Sequence, residues 1–263
     1  MDYDVVIIGG GPSGLATAIK LAQTFKEKNL DKSICVLEKS AEIGGHILSG
    51  NVFETTALDE LIPDWKEKGA PLDVKVKRDA IKFLINDKYS LPVPSFVMPT
   101  MQNHGNYILS LGNLCRWLAE QAEALGVDIF PGFPAAEIIF KDGKVAGVIT
   151  GDMGVDAEGN TKDTFQPGME IIANEATVFA EGCRGHLGKQ LIRRYDLDKG
   201  KSPQQYGIGF KEIWEVNEKQ HQEGLVMHTA GWPLDNKTYG GSFVYHAEKK
   251  QIYVDGLLSK QKI

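Results

Sequence analysis

Four apolar residues in a row, Val5-Val6-Ile7-Ile8, open the hydrophobic pattern of this chain, and the run stops at Gly9. An unbroken β-branched run of this kind reads as a strand buried on both faces. From Leu15 the period changes: Leu15, Ile19, Ala22 and Phe25 recur at helical spacing and line one face of a helix. Ile34-Cys35-Val36-Leu37 makes a second short strand that ends at Glu38. Asn113–Leu125 is again helical, with Leu114, Trp117, Leu118, Gln121, Ala122 and Leu125 on one stripe, and leads through Gly126 into a strand at Val127–Phe130. Glu137–Phe140 and Lys144–Ile149, joined by Asp142-Gly143, predict a β-hairpin. Ala176–Ala180 predicts a compact strand. The stripe of Asn51–Trp65 predicts a buried core helix closing at Pro63. The proline-rich Leu91–Met101 predicts an extended apolar segment. Acidic, glycine-rich Gly151–Asp163 predicts a solvated turn, since its carboxylates do not fit a calcium loop. From about Lys199 the pattern turns to mixed strands.

The first strand, the helix and the second strand enclose Gly9, Gly11 and Gly14 at G-x-G-x-x-G spacing, with Glu38 at the end of the second strand. In a dinucleotide-binding unit the first glycine makes the tight turn, the second admits a pyrophosphate and the third lets helix pack on strand; an acid about 20 residues on accepts the ribose hydroxyls. Unpaired N–H groups at the helix start favour the anion. A dinucleotide is therefore expected, with Gly9, Gly11, Pro12, Ser13 and Gly14 at the pyrophosphate and Glu38 and Lys39 near the adenosine.

Two later stretches choose between NAD and FAD. Gly44-Gly45-His46 comes shortly after the ribose acid, where flavoproteins of the glutathione-reductase type bring backbone close to the flavin; Gly45 and His46 are assigned there. The apolar strand at Ala176–Ala180 ends in Glu181-Gly182, an acid and a glycine placed to hold the ribityl chain and pyrophosphate. No second G-x-G-x-x-G follows a strand, so a nicotinamide domain is not expected and the electron donor is expected to be something other than NAD(P)H.

Composition narrows the partners. A formal charge of −6 argues against nucleic acid. Cys35, Cys115 and Cys183 are far apart, which fits a reducing compartment and leaves no disulfide scaffold and no self-contained zinc or iron–sulfur site. No stretch approaches the roughly 18 apolar residues needed to span a bilayer. The chain enters its first strand at once, which suggests a mature-type or bacterial cytoplasmic start.

Longer strings carry a family likeness. Leu48-Ser49-Gly50, Asp64–Leu72, Asn103–Tyr107, Glu120–Val127, Phe179–Leu187, Tyr206–Glu212, Gly231–Leu234 and Tyr239–Phe243 are typical of one family. From about Asp4 to about Leu257 the chain resembles the electron transfer flavoprotein–ubiquinone oxidoreductases. The resemblance implies an α/β protein: a Rossmann-like FAD-binding domain of glutathione-reductase type over residues 1–198, and a partial α+β ubiquinone-binding domain over 199–263. It implies an FAD-dependent oxidoreductase that accepts electrons from reduced electron transfer flavoprotein and passes them to ubiquinone. It also implies a monotopic attachment to the bacterial cytoplasmic membrane (the mitochondrial inner membrane in eukaryotic relatives), through residues 43–64; independently of the resemblance, the apolar stretch 91–101 is a second candidate. Gly240 and Gly241 match the family's quinone-binding glycines. The family's 4Fe–4S cluster sits on four cysteines in a region with no counterpart here, so the chain is expected to be a partial member.

The resemblance implies that the cofactor carries the chemistry, so no nucleophile or paired-carboxylate site is expected. His46, His104 and His186 are candidates for proton delivery, with structural hydrogen bonds the alternative. Two other readings stand beside this one: a geranylgeranyl-reductase-like flavoprotein, and an FAD-binding, membrane-associating module without a complete electron path.

Overall fold

The computed structural model describes residues 1–260 except 49, 73, 157 and 236. In chain order the elements are β1 (Asp2–Ile8), α1 (Pro12–Glu27), β2 (Ile34–Glu38), β3 (Asn51–Phe53), α2 (Thr56–Leu61), β4 (Val74–Lys75), β5 (Arg78–Leu84) and β6 (Ser90–Val93). Then come β7 (Tyr107–Leu109), α3 (Leu111–Glu123), β8 (Asp128–Pro131), β9 (Ala135–Lys141), β10 (Lys144–Thr150), β11 (Met153–Val155), β12 (Thr161–Gln166), β13 (Glu170–Phe179) and α4 (His186–Tyr195). The last strands are β14 (Ile208–Glu215), β15 (Leu225–Gly231), β16 (Thr238–His246) and β17 (Gln251–Lys260). They fall into two units: Met1–Ile47 with Gly112–Ser202, and Leu48–Leu111 with Pro203–Ile263. The sequence predicts one boundary, near residue 198; the fold draws three.

The first unit is built on a six-stranded sheet in the order β8-β2-β1-β13-β10-β9. β1 lies between the parallel β2 and β13, which is why the run Val5–Ile8 has no polar alternation. Helix α1 buries Leu15, Ala18, Ile19 and Ala22. Val6, Ile8, Cys35, Leu37, Val148 and Ile171 form one core cluster. β13 starts well before the expected Ala176: Glu170–Ile172 pair with antiparallel β10, and parallel β1 runs beside the strand from Ile172 to Phe179.

The segment 151–163 is not simply a solvated turn. β11 and β12 pair as a ribbon, Met153 opposite Gln166. Asp156 accepts the amides of Glu158 (3.0 Å) and Asn160 (2.8 Å), and this tight reversal brings the flanks into register.

The second unit holds a six-stranded sheet, β14-β17-β16-β15-β5-β6, and a three-stranded one, β3-β7-β4. Val74, Val76, Ile108, Val226, Tyr245 and Tyr253 make a shared core. The parallel pairing of β5 with β15, Arg78↔Leu225 through Leu84↔Gly231, ties residues 48–111 to the late part of the chain. Asn51–Trp65 is not one helix: Val52 and Phe53 pair with β7, and only Thr56–Leu61 is helical. Its apolar side chains Leu58, Ile62 and Trp65 point inward; the Trp65 ring meets Tyr107 edge-on at 5.9 Å, and its indole donates to Asp59 (2.6 Å). Leu91–Met101 is extended only as far as Val93, where Phe83↔Leu91 pairs β5 with β6; two 3₁₀ turns, Ser95–Val97 and Pro99–Met101, come after it.

Candidate functional site

The glycine turn between β1 and α1 takes the shape its spacing demands. Gly9 has φ +108°, and its amide donates to the Leu37 carbonyl (2.8 Å). A Cβ there would strike the carbonyl of Ala180, so only glycine turns this corner. A Cβ at Gly14 would strike the carbonyl of Gly9, which is the close helix–strand approach the third glycine allows. Gly11 differs: it caps α1 in an extended conformation, and nothing lies within 4 Å of the place a Cβ would occupy. No side chain caps α1, and Pro12 stands in its first turn. The amides at the start of α1 are thus left for an anion, on the open side of Gly11.

Glu38 is fixed beside this turn. Its Oε2 accepts the Gly10 amide (2.8 Å) and its Oε1 the Ser40 amide (2.8 Å). A carboxylate has about four acceptor sites, so both oxygens can still take ribose hydroxyls. Pro12, Ser13, Lys39, Gly45 and His46 are exposed in the same unit. The open side of Gly11, the amides at the start of α1 and the free acceptor sites of Glu38 leave room there for a diphosphate and a ribose.

Glu181 has another task in view. Its Oε1 accepts the Leu187 amide (3.2 Å) and its Oε2 the Gly188 amide (2.7 Å), so it caps α4; His186 Nδ1 stands 3.5 Å from Oε1. Gly182 turns with open space around it.

The second unit holds the other glycine pair. Gly240 and Gly241 on β16 face Leu258 and Leu257 of β17. A side chain at Gly241 would run into the Thr229 carbonyl of β15. Two and four residues on, Phe243 and Tyr245 stack at 4.2 Å with planes 10° apart, a column of rings further along the same strand.

Two partly buried polar groups near this column are not signalled by any sequence motif. Lys211 Nζ donates to the Gly50 carbonyl (2.6 Å), stands 4.0 Å from Asp255 and lies over the Phe243 ring at 5.5 Å. Burial lowers the Lys211 pKa and raises that of Asp255, outweighing the help each gives the other. His228 Nε2 meets the Tyr245 hydroxyl at 3.1 Å, while its Nδ1 is buried with no partner among the described residues. Burial lowers the His228 pKa against the opposing charge of Asp79. Cross-strand register sets residues 211, 255 and 228 on one row with Phe243, and the Lys211 hydrogen bond adds Gly50, so spacing could not reveal them. His46, His104 and His186 are all exposed. The described residues contain no metal-type cluster of His, Cys, Asp and Glu.

Two stretches of the chain match known families. Residues 206–260 match a family model described as ETF-QO, ubiquinone-binding, and residues 7–63 one described as an NAD(P)-binding Rossmann-like domain. The chain is 56% identical over 257 residues to the electron transfer flavoprotein-ubiquinone oxidoreductase of Pseudomonas aeruginosa, covering 97% of this chain and 46% of that protein. Nearly end to end, this chain resembles the electron transfer flavoprotein–ubiquinone oxidoreductases. The human mitochondrial enzyme of that name is 51% identical over 96% of this chain and 41% of its own length. The chain thus spans less than half the length of these curated relatives. Among solved structures, a geranylgeranyl bacteriochlorophyll reductase-like protein from Thermoplasma acidophilum superposes with a TM-score of 0.64 at 18% identity, covering 97% of this chain and 56% of that one. CtdE in complex with FAD gives 0.58 at 16% identity, covering all of this chain and 60% of that one. Both show the fold alone. The expected fold class and family likeness are borne out.

Proposed function

We propose that this chain carries the FAD-binding and ubiquinone-binding parts of an electron transfer flavoprotein–ubiquinone oxidoreductase. Bound FAD would take electrons from reduced electron transfer flavoprotein and deliver them to ubiquinone. The observation that carries this reading is the 56% identity to such an oxidoreductase over 97% of the chain.

The first unit serves the FAD. The open side of Gly11, beside Pro12 and the amides of Ser13 and Gly14, receives the pyrophosphate; Glu38 holds the ribose, and Lys39 lies near the adenosine. Gly45, His46 and Gly182 serve the flavin half. Glu181 acts there by fixing α4, since both its oxygens are engaged by that helix. In the second unit Gly240 and Gly241 hold the quinone ring by backbone, next to the Phe243–Tyr245 stack. The 4Fe–4S cluster belongs to relatives of greater length and is not assigned to residues here.

The attachment is to a membrane surface, as a monotopic protein. No helix among the described residues is long and apolar enough to cross a bilayer. Residues 43–64 offer lipid little beyond Leu48, because Ile43, Leu58 and Ile62 are buried. Leu91, Phe96, Val97 and Met98 are exposed, which favours the second candidate segment.

The test is reconstitution of the purified chain with FAD, followed by electron transfer from reduced electron transfer flavoprotein to ubiquinone-1. Co-eluting flavin and quinol formation are expected. Absence of flavin absorption after reconstitution refutes the cofactor reading; bound flavin without turnover favours the module without a complete electron path.

A further inference from the structure

The six-stranded sheet of the second unit carries a nearly buried cation whose hydrogen bonding is incomplete. Register pairs Lys211 of β14 with Asp255 of β17, and Asp255 with Phe243 of β16, so the three share one row across neighbouring strands. Their side chains leave the same face of the sheet. The next row on that face holds Gly209, Leu257 and Gly241, about 7 Å further along the strands. Two of its three positions carry no side chain.

β14 and β16 stand roughly 10 Å apart, with β17 between them. Lys211 Nζ nevertheless lies 5.5 Å from the centre of the Phe243 ring. The two side chains therefore lean together above β17, and the ammonium is turned towards the strand that carries the glycine pair. An ammonium has three N–H donors. Among the described residues only one is engaged, by the Gly50 carbonyl at 2.6 Å. The Asp255 carboxylate, at 4.0 Å, is too far for a hydrogen bond. Yet the Lys211 side chain is only 9% exposed and that of Asp255 13%. Burial works against the charge and lowers the Lys211 pKa, while Asp255 opposes the loss of the proton. A buried cation short of acceptors calls for a ligand oxygen. His228 stands one strand beyond Phe243 on the same row and has no such capacity: its Nε2 meets Tyr245, and its unpartnered Nδ1 is closed off.

We propose that Lys211 Nζ donates to the quinone oxygen that lies away from the glycines, and balances the negative charge that gathers there during reduction. The inference rests on the quinone reading of Gly240 and Gly241, and adds a charged side chain to a site otherwise made of backbone. One quinone oxygen is held at the glycine backbone. The ring, with a hydrogen bond at each end, spans the distance between the two rows and brings the opposite oxygen to the ammonium. Two electrons from the flavin and two protons from water make the quinol, and Lys211 keeps its own proton throughout.

The experiment measures, by calorimetry, the binding of two flat quinones of nearly one shape to the full chain incubated with FAD. Lawsone, a hydroxynaphthoquinone, is an anion at neutral pH; menadione, its methyl counterpart, is uncharged. Lawsone thus carries at equilibrium the charge that a quinone oxygen gains on reduction. The wild-type chain should hold lawsone about 10- to 100-fold tighter than menadione. K211M/D255N removes both charges and leaves no stranded carboxylate, so it should fold. It should bind menadione within about threefold of the wild type and lose the preference for lawsone, whereas K211R should retain it. Equal binding of the two quinones by the wild type, or a preference that survives in K211M/D255N, overturns the proposal while the quinone reading stands. Displacement of lawsone by benzoate at equal concentration makes the ammonium a general anion site and overturns it likewise. Binding of neither quinone to the wild type overturns the proposal and the quinone reading together.

Discussion

Gly11 and Gly14 stand three residues apart, yet alanine should act on them in opposite ways. At Gly14 a methyl group would lie 3.2 Å from the Gly9 carbonyl carbon and 3.3 Å from Ile7 Cγ2, with the Gly9 oxygen nearer still. A methyl–oxygen contact needs about 3.4 Å or more, and the obstacle is backbone at a corner fixed by Gly9 and Ala180. Relief requires α1 to move off β1, which separates Leu15, Ala18 and Ile19 from the sheet. Overpacking of this kind costs about 1–3 kcal/mol when side chains can yield, and more against backbone. G14A should therefore lose at least about 3 kcal/mol. At Gly11 the backbone is extended (φ −82°, ψ −177°) and the space is open, so alanine fits without strain; the gain of about 0.4–1 kcal/mol from a stiffer unfolded chain is offset by alanine's poorer N-capping, and G11A should fold within about 1 kcal/mol of the wild type. Its methyl group occupies the approach of the pyrophosphate, so FAD affinity should fall on the order of 10- to 100-fold. Urea unfolding of the flavin-free chain gives the first quantity and FAD titration the second. A G11A chain that holds FAD like the wild type would refute the placement of the pyrophosphate, and an unshifted G14A midpoint would refute the packing argument.

The second unit and the cysteines carry further consequences. K211M should destabilise by about 3–5 kcal/mol, because it strands Asp255 in a buried position and frees the Gly50 carbonyl; K211M/D255N should recover part of that, which a double-mutant cycle in urea measures. His228 and His246 both have pKa values lowered by burial in the folded state, so the unfolded chain binds more protons. Their contribution is fully present above the unfolded pKa near 6.5 and is lost as pH falls below it, so the urea midpoint should drop between pH 7.5 and 5.5, less steeply in H228Q. Cys35 and Cys115 are buried, with pKa values pushed up to about 12, while Cys183 is exposed; a thiol reagent should label Cys183 fast and the other two only on unfolding.

Gly241 shows why site tests need the tertiary structure. On an isolated strand, a bulky residue there would probe quinone binding directly. In the sheet it would collide with the Thr229 carbonyl, so it would report on strand packing as much as on the ligand.

The glycine turn was legible because its shape is local. Gly9, Gly11, Gly14 and Glu38 take their places through backbone shape and one strand end, and both arise from residues within a single β–α–β unit. The unbroken run Val5–Ile8 announced a central parallel strand for the same reason. The longer motifs pointed to the family before any contact was known. The fold alone could decide what depends on distant pairing. β5 joins β15 across more than a hundred residues, which splits the units as no composition shift does. Glu181 turns out to cap α4, and Asn51–Trp65 turns its apolar side inward and divides into strand and helix. Lys211 and Asp255 become a pair, with His228 across Phe243 on the same row. Local rules of period and turn fix an element's type, but register and burial arise from free-energy gains shared among segments, and those gains exist only once the segments meet.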